Sequence, residues 1–226
     1  MNYLIAAHHS WNKKNFDALR ERTDLGNFFF ISNKEDLSLK FLEDINPRYI
    51  FFPHWNYIVP EEILNSYECV CFHMTDLPFG RGGSPLQNLI IRGMKKTKIS
   101  ALRMTEVLDG GPIYIKKDLS LSGKAGNIYK RASKIIFNLI IYLVKNNTIP
   151  QPQEGEIVSF SRRKPSDSAI NDVQGIDSLF NFIRMLDAPN YPHAFLENDN
   201  FKFHFTNVKY NSDNELQAKV IIKKKN

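Results

Sequence analysis

A histidine and an aspartate in neighbouring segments are the residues of this sequence best suited to catalysis. His73 follows the apolar run 68–72, which has the length of a buried strand, and Asp109 lies in an Asp-Gly-Gly-Pro loop after the next predicted strand. Ligands of open α/β sheets bind at the carboxyl ends of the strands. A histidine there can donate to a developing oxyanion or move a proton, and an aspartate can orient it or accept the proton. Either residue alone is more often structural, so the hypothesis depends on their convergence.

A glycine-rich stretch, Gly80-Arg81-Gly82-Gly83, follows the histidine. Its backbone N–H groups could face an anion, but a tight connection between a strand and a helix explains such a stretch equally well. No G-x-G-x-x-G follows the first predicted strand and no P-loop lysine is present, which argues against nicotinamide and P-loop sites.

The cysteines and the remaining histidines give no sign of a metal site. Cys69 and Cys71 are spaced C-x-C, which neither closes a disulfide easily nor supplies a zinc site. For Cys71 a small buried hydrophobe is favoured over a nucleophile. The other histidines are scattered without ligand spacing, and we therefore predict no metal; they are His8, His9, His54, His193 and His204.

Charge and hydropathy limit the kinds of partner and cellular location that we expect for this protein. The 226 residues carry a net charge of +6, with a pI of about 9.2, which suggests an anionic partner or a surface of solvated lysines. The longest apolar run, 135–144, contains Asn138 and is too short to cross a bilayer. Residues 1–7 look like a first strand rather than a signal peptide. We therefore expect a cytoplasmic location without membrane insertion.

Strand and helix patterns alternate up to residue 150. The alternation predicts an α/β fold, with a Rossmann-like, mostly parallel sheet and helices on both faces. Predicted strands cover 3–7, 28–31, 49–52, 68–72, 99–107 and 113–119. Predicted helices cover 11–22, a segment opened by a capping box at 32–35, 60–65, a segment from Pro85, and 125–146. The pattern breaks at Pro150-Gln151-Pro152-Gln153, so we predict a catalytic domain over 1–150 and a small α+β region over 151–226.

Residues 71–82, Cys-Phe-His-Met-Thr-Asp-Leu-Pro-Phe-Gly-Arg-Gly, resemble the first signature of the formyltransferase family. In that family Asn-x-His precedes a serine-containing loop, Leu-Pro and Arg-Gly. Residues 108–113, Leu-Asp-Gly-Gly-Pro-Ile, resemble the second signature, which carries the catalytic aspartate. The resemblance runs from about Pro53 to Phe205.

Two later segments resemble the branch of this family that formylates amino sugars carried on nucleotides. They are 160–168 and the pair 183–187 with 191–195. The resemblance implies transfer of a formyl group from 10-formyltetrahydrofolate to the primary amine of a nucleotide-linked amino sugar, in bacterial surface-glycan biosynthesis. The short chain agrees, because the tRNA-directed relatives have a larger C-terminal domain.

The resemblance also implies roles for particular residues. His73 stabilises the tetrahedral oxyanion and moves the proton, while Asp109 receives the amine proton or fixes the imidazole. The loop 55–59 holds the pterin, although from sequence alone it could equally be surface packing of Trp55. The predicted folate-binding residues are Trp55, Asn56, Tyr57, Ile58, Val59 and Asp109. The predicted acceptor-binding residues are Thr75, Phe79, Gly80, Arg81, Gly82, Gly83, Arg162 and Arg163, the last two being equally consistent with surface charge.

The chain departs from the family at Cys71, where the family has an asparagine that helps to hold the formyl oxygen. A thiol is a poor donor, so either His73 and backbone N–H groups hold the oxyanion alone or the donor is positioned differently. Three alternatives stay open: methionyl-tRNA as acceptor, glycinamide ribonucleotide as acceptor, or a non-catalytic relative that binds folate or a nucleotide-sugar. The short appendage makes a nucleic-acid partner the less favoured expectation, and a homodimer is left open.

Overall fold

A computed structural model describes residues 1–225 of the chain. Its strands are β1 Asn2–Ala6, β2 Asn27–Ile31, β3 Tyr49–Phe52, β4 Cys69–His73, β5 Phe79–Gly82, β6 Lys96–Arg103, β7 Ile113–Ser120, β8 Val158–Phe160, β9 Ala194–Glu197, β10 Phe201–Ser212 and β11 Glu215–Lys224. Its α-helices are α1 Ser10–Arg20, α2 Leu39–Ile45, α3 Glu61–Ser66, α4 Pro85–Ile91, α5 Ala125–Lys145 and α6 Ile176–Leu186.

Six strands form the main sheet, in the order β2-β1-β3-β4-β6-β7. β1 runs parallel to both β2 and β3, and β3 runs parallel to β4. β6 is antiparallel to β4, with His73 opposite Ser100 and Val70 opposite Arg103. The carboxyl ends of β1, β3 and β4 therefore lie at one edge of the sheet. The prediction of a mostly parallel, Rossmann-like sheet is confirmed.

The apolar strands are covered by helices on both faces, as predicted. Successive side chains of a strand point to opposite faces. Leu4 and Ile50 join one buried cluster with residues of α2 and α3, including Leu42 and Ile63. On the other face Phe30 of β2 meets Phe16 of α1, with ring centroids 4.8 Å apart. Burial of each such side chain contributes about 1.5–3 kcal/mol relative to exposure.

The C-terminal elements form a three-stranded antiparallel sheet, in the order β11-β10-β9, accompanied by α6. The predicted α+β character of this region is confirmed. Contacts divide the chain into two compact units, one of residues 1–82, 98–119 and 130–159 and one of 83–97, 120–129 and 160–226. The division into domains at residue 150 stays a prediction. Within residues 1–225, no helix has the length and apolar character that crossing a bilayer requires.

Three local predictions were wrong in their boundaries. α2 begins at Leu39 and its N-cap is Ser38, whose hydroxyl accepts from the N–H of Phe41 at 3.3 Å, whereas Ser32 caps no α-helix. The glycine-rich stretch is partly a strand, β5, rather than a loop. β6 ends at Arg103 instead of residue 107. The N–H of Met104 still donates to the carbonyl of Cys69 at 2.8 Å, in register with β4, and the chain then bends at 106–107 and turns at 108–110.

Candidate active site

His73 ends β4 with its ring almost fully buried, at 8% exposure. Its Nε2 donates to the carbonyl oxygen of Gly80 at 2.7 Å. Its Nδ1 lies 3.4 Å from Oδ2 of Asp109. Thr75, also buried, donates from its hydroxyl to the same Gly80 carbonyl at 3.4 Å. Both ring nitrogens face oxygen acceptors, so the ring is held in one orientation and can carry a proton on either side.

Asp109 is held by its side chain and by its backbone. Its Oδ2 accepts from the backbone N–H of Gly82 at 2.9 Å. Its φ of 51° lies in the left-handed region, which is uncommon for a residue other than glycine. Two residues on, a Cβ at Gly111 would lie 1.9 Å from the carbonyl oxygen of Arg103, so only glycine fits there. The Asp-Gly-Gly sequence thus allows a close turn that aims the carboxylate at His73.

The aspartate reaches His73 by a route that the sequence did not predict. We expected the loop after β6 to start at the same sheet edge as the end of β4. Because β6 is antiparallel to β4, Arg103 ends beside Val70, near the start of β4. The loop must therefore fold back along the sheet to bring Asp109 to His73. The structure brings the two predicted residues together, although the direction of β6 was not foreseen.

Gln153 is a residue of this site that the sequence analysis missed. Its Nε2 donates to the carbonyl oxygens of Asp109 and Gly111, both at 2.8 Å. Its Oε1 accepts from Nε and from a terminal nitrogen of Arg81, at 3.1 and 2.8 Å. A Pro-Gln-Pro-Gln segment is typical of a linker, so its glutamines give no sign of a role in a site. The only signal was that this segment breaks the alternation of strands and helices.

Cys71 lies one strand period before His73 and packs against the buried cluster that includes Phe52 and Cys69. Burial, followed by the charge of Asp109, raises the pKa of the Cys71 thiol well above its ordinary value. The thiolate is the nucleophilic form of cysteine, so this setting disfavours attack through sulfur.

The loop after β3 presents apolar surface at the sheet edge where His73 lies. Trp55 packs on Phe52 and Tyr57, with ring centroids 6.0 and 5.1 Å apart. Tyr57 is 45% exposed and Ile58 is 97% exposed, while Val59 is buried. Within residues 1–225, the backbone groups of 56–59 make no backbone–backbone hydrogen bond. The loop therefore offers both apolar side chains and backbone polar groups to a ligand.

Three histidines judged scattered in the sequence lie together at this edge. His8 and His9 follow β1 and His54 follows β3, and these strands are neighbours. The ring centroids of His8 and His9 are 4.1 Å apart, and His9 stacks on Trp11 at 4.3 Å. Burial and the neighbouring histidines lower the pKa of His9 to about 4 and that of His54 to about 3. Across residues 1–225, no three His, Cys, Asp or Glu side chains are grouped to hold a metal ion.

The predicted acceptor-binding residues fall into both compact units. Gly80, Arg81 and Gly82 take part in the contacts just described, and Phe79 precedes them in β5. Gly83 belongs to the second unit, where a Cβ would lie 2.5 Å from Cα of Arg162. Arg163 donates from its backbone N–H to the hydroxyl of Ser84 at 3.0 Å, and its guanidinium lies 5.7 Å from the ring centroid of Phe182. Arg163 is therefore packed within its own unit.

Comparison with known proteins gives consistent matches. Residues 165–223 match the family model described as methionyl-tRNA formyltransferase, C-terminal domain. A structure of methionyl-tRNA formyltransferase from Clostridium thermocellum is 45% identical with a TM-score of 0.96, and the match covers 100% of both chains. Methionyl-tRNA formyltransferase of Thermodesulfovibrio yellowstonii is 30% identical over 201 residues, which are 85% of this chain and 64% of that protein. The chain thus spans about two thirds or less of the length of the curated relatives it matches.

A more distant structure shows the same fold. HypX from Aquifex aeolicus, in complex with tetrahydrofolic acid, aligns with a TM-score of 0.75 at 15% identity, over 94% of this chain and 39% of that one.

These matches correct the predicted acceptor. The prediction of a nucleotide-linked amino sugar as acceptor, and with it a place in surface-glycan biosynthesis, was wrong, since relatives that are 45% and 30% identical to the chain are named for methionyl-tRNA. The prediction relied on the short chain. The Clostridium protein aligns with this chain over the full length of both, so shortness is no argument against tRNA. The expectation that nucleic acid is a disfavoured partner loses its basis for the same reason.

Proposed function

The chain belongs to the formyltransferase family, and we propose that it transfers the formyl group of 10-formyltetrahydrofolate to the primary amine of methionyl-tRNA. The observation that carries the proposal is the pairing of His73 with Asp109, whose facing atoms are 3.4 Å apart and whose side chains are 9% and 12% exposed. Formyl transfer needs a group that stabilises an oxyanion and a group that accepts a proton from the amine, and this pair supplies both.

The chemistry of the step assigns a task to each group. The amine nitrogen attacks the formyl carbon, a new C–N bond forms, and the bond from that carbon to N10 of the folate breaks. The amine loses a proton and N10 gains one. We assign stabilisation of the tetrahedral oxyanion to Nε2–H of His73, which would then donate to the oxyanion in place of the Gly80 carbonyl, and receipt of the amine proton to Asp109, whose Oδ2 contacts Nδ1 of His73. Relay of the proton through the imidazole then returns it to the leaving nitrogen.

The loop 55–59 fits the folate that supplies the formyl group. A pterin is flat, with apolar faces and polar edges, and this loop offers exposed apolar side chains at Tyr57 and Ile58. Its backbone polar groups at 56–59 are not used by other backbone groups of residues 1–225. Nε1 of Trp55 is buried and has no hydrogen-bond acceptor within that part of the chain. HypX, which shares this fold over 39% of its chain, forms a complex with tetrahydrofolic acid, and this is compatible with the assignment.

Charge on the C-terminal hairpin supports an RNA acceptor. Lys202 and Lys223 lie directly opposite each other on β10 and β11, with Lys219 on the same face. Like charges placed opposite each other destabilise a sheet, so a phosphate backbone would relieve a cost that the isolated hairpin bears. Glu197 is 3.5 Å from Lys202 and offsets part of this charge.

The proposal is tested by formyl transfer with the purified protein. We expect formyl-methionyl-tRNA to accumulate when 10-formyltetrahydrofolate and methionyl-tRNA are supplied, and free methionine methyl ester to be a far poorer acceptor. Because each neutralised phosphate releases counterions, tRNA affinity should fall steeply between low and physiological salt. Two results would contradict the acceptor we propose. One is folate binding without transfer to methionyl-tRNA; the other is equal transfer to methionyl-tRNA and methionine methyl ester, with no dependence on salt.

A further inference from the structure

The side-chain amide of Gln153 uses its complete hydrogen-bonding capacity within the candidate site. A primary amide has two N–H donors and an oxygen with two lone pairs. Both donors are occupied by the carbonyl oxygens of Asp109 and Gly111, and the oxygen accepts two N–H groups of Arg81. Turning the amide over would place donors against donors and acceptors against acceptors, so its orientation is fixed.

These contacts close a ring around Asp109. Gln153 binds the backbone of Asp109 on one side and Arg81 on the other. Arg81 stands between Gly80, which accepts from His73, and Gly82, which donates to the carboxylate of Asp109. The backbone and the side chain of Asp109 are therefore both tied to β5, the strand that also orients the imidazole.

We propose that Gln153 is a positioning residue, which holds the Asp109 carboxylate in register with His73 for proton transfer. The inference rests on the proposed function of that pair. Asp109 has an uncommon φ of 51°, so its loop needs contacts from outside the turn to keep this conformation. The 3.4 Å separation of Nδ1 and Oδ2 is already long, and a further shift would break the contact. A displacement of about 1 Å in a catalytic site can cost about a hundredfold in rate.

The test compares two glutamines of the same segment. Gln153→Met keeps the length of the side chain and removes its hydrogen bonds, and Gln153→Glu keeps an acceptor for Arg81 while removing the donors to the loop. The matched control is Gln151→Ala, because Gln151 is exposed and its side chain, among residues 1–225, hydrogen-bonds only to the carbonyl of Ile149, at 3.4 Å. Thermal melts identify any variant that fails to fold. If one Gln153 variant does not fold, the other tests the inference.

We expect both Gln153 variants to lower kcat by about 10–100-fold, with KM for each substrate changed less than about threefold, because the loss is one of alignment rather than of binding. Gln151→Ala should match the wild type. Amide hydrogen exchange should speed up over residues 104–112 in the Gln153 variants and not in the control. A Gln153→Met or Gln153→Glu protein with wild-type kcat would overturn the inference. If the wild-type protein transfers no formyl group, the proposed function fails by itself, and unchanged exchange at 104–112 then overturns the role of Gln153 separately.

Discussion

Two groups of histidines lie at one edge of the same sheet in opposite environments. His73, at the end of β4, has an oxygen acceptor opposite each ring nitrogen. His9 and His54, after β1 and β3, have aromatic rings and other histidines as neighbours, and burial lowers the pKa of each ring. The nitrogens of His73 thus have oxygen partners, whereas the lowered pKa values of His9 and His54 keep their rings neutral at pH 7. We therefore propose proton chemistry for the histidine at the end of β4 and a packing role for those after β1 and β3.

The largest effect expected from this contrast is on catalysis. His73→Asn and Asp109→Asn should each lower kcat/KM for formyl transfer by about a hundredfold or more, the scale of an acid–base or oxyanion group. His9→Gln, at the aromatic group, should lower it by less than about tenfold, since that ring takes no part in the step. Steady-state assays on variants with wild-type circular dichroism measure the difference. A folded His73→Asn protein with the wild-type rate would show that His73 is no more important for catalysis than His9.

The second effect is on stability, and we predict it for His9 and His54. The pKa values of His9 and His54, about 4 and about 3, lie below the ordinary value of 6.5. The unfolded chain therefore binds more protons than the folded one below pH 6.5. The stabilising contribution is complete above that pH and is lost as the pH falls towards the folded pKa values. The free energy of unfolding should decrease from pH 7 to pH 5, by up to about 1.4 kcal/mol per pH unit for each group.

Urea unfolding at a series of pH values measures this slope. His9→Gln and His54→Asn should each make the slope shallower between pH 7 and pH 5, because each removes one group that must be protonated on unfolding. Equal slopes in the wild type and both variants would show that the two rings titrate normally in the folded protein.

The smallest effect is expected at Cys71, beside His73 in the strand. Cys71→Ala removes a half-buried thiol whose pKa is raised well above its ordinary value, so formyl transfer should stay within about threefold of the wild type. Cys71→Asn restores the family's amide but places a larger polar group against the buried cluster, and it should lower the free energy of unfolding by about 1–3 kcal/mol. Complete loss of transfer in a well-folded Cys71→Ala protein, with a formyl-thioester trapped on the wild type, would indicate a mechanism through sulfur.

The sequence predicted the parts of the site that local pattern determines. His73 and Asp109 were found because each sits beside glycines after an apolar run, and the structure places them together. Gln153 was not found, since its partners are carbonyl oxygens of a loop more than forty residues away and no local pattern marks such contacts. The direction of β6 was missed for a similar reason, because an apolar run does not state which way its strand runs.

The aromatic histidines show the same limit. The rings of His9 and His54, with centroids 6.3 Å apart, meet because β1 and β3 are paired, and strand order is set by packing of the whole sheet. Ser38 was passed over as the cap of α2 because Ser32 has a glutamate three residues later, and the short turn at 34–36 separates the two. In each case the sequence shows the residue type, but it does not show which residues lie beside it in the folded structure.

The most direct test of the account is whether His73 and Asp109 act as one unit in formyl transfer to methionyl-tRNA. Single-turnover rates of the wild type, His73→Asn, Asp109→Asn and the double variant provide a complete cycle, independent of product release. We predict that the double variant reacts within about threefold of the slower single variant, because removing either residue already disables the pair. If the rate loss of the double variant equals the product of the two single losses, His73 and Asp109 act independently, which would contradict this account.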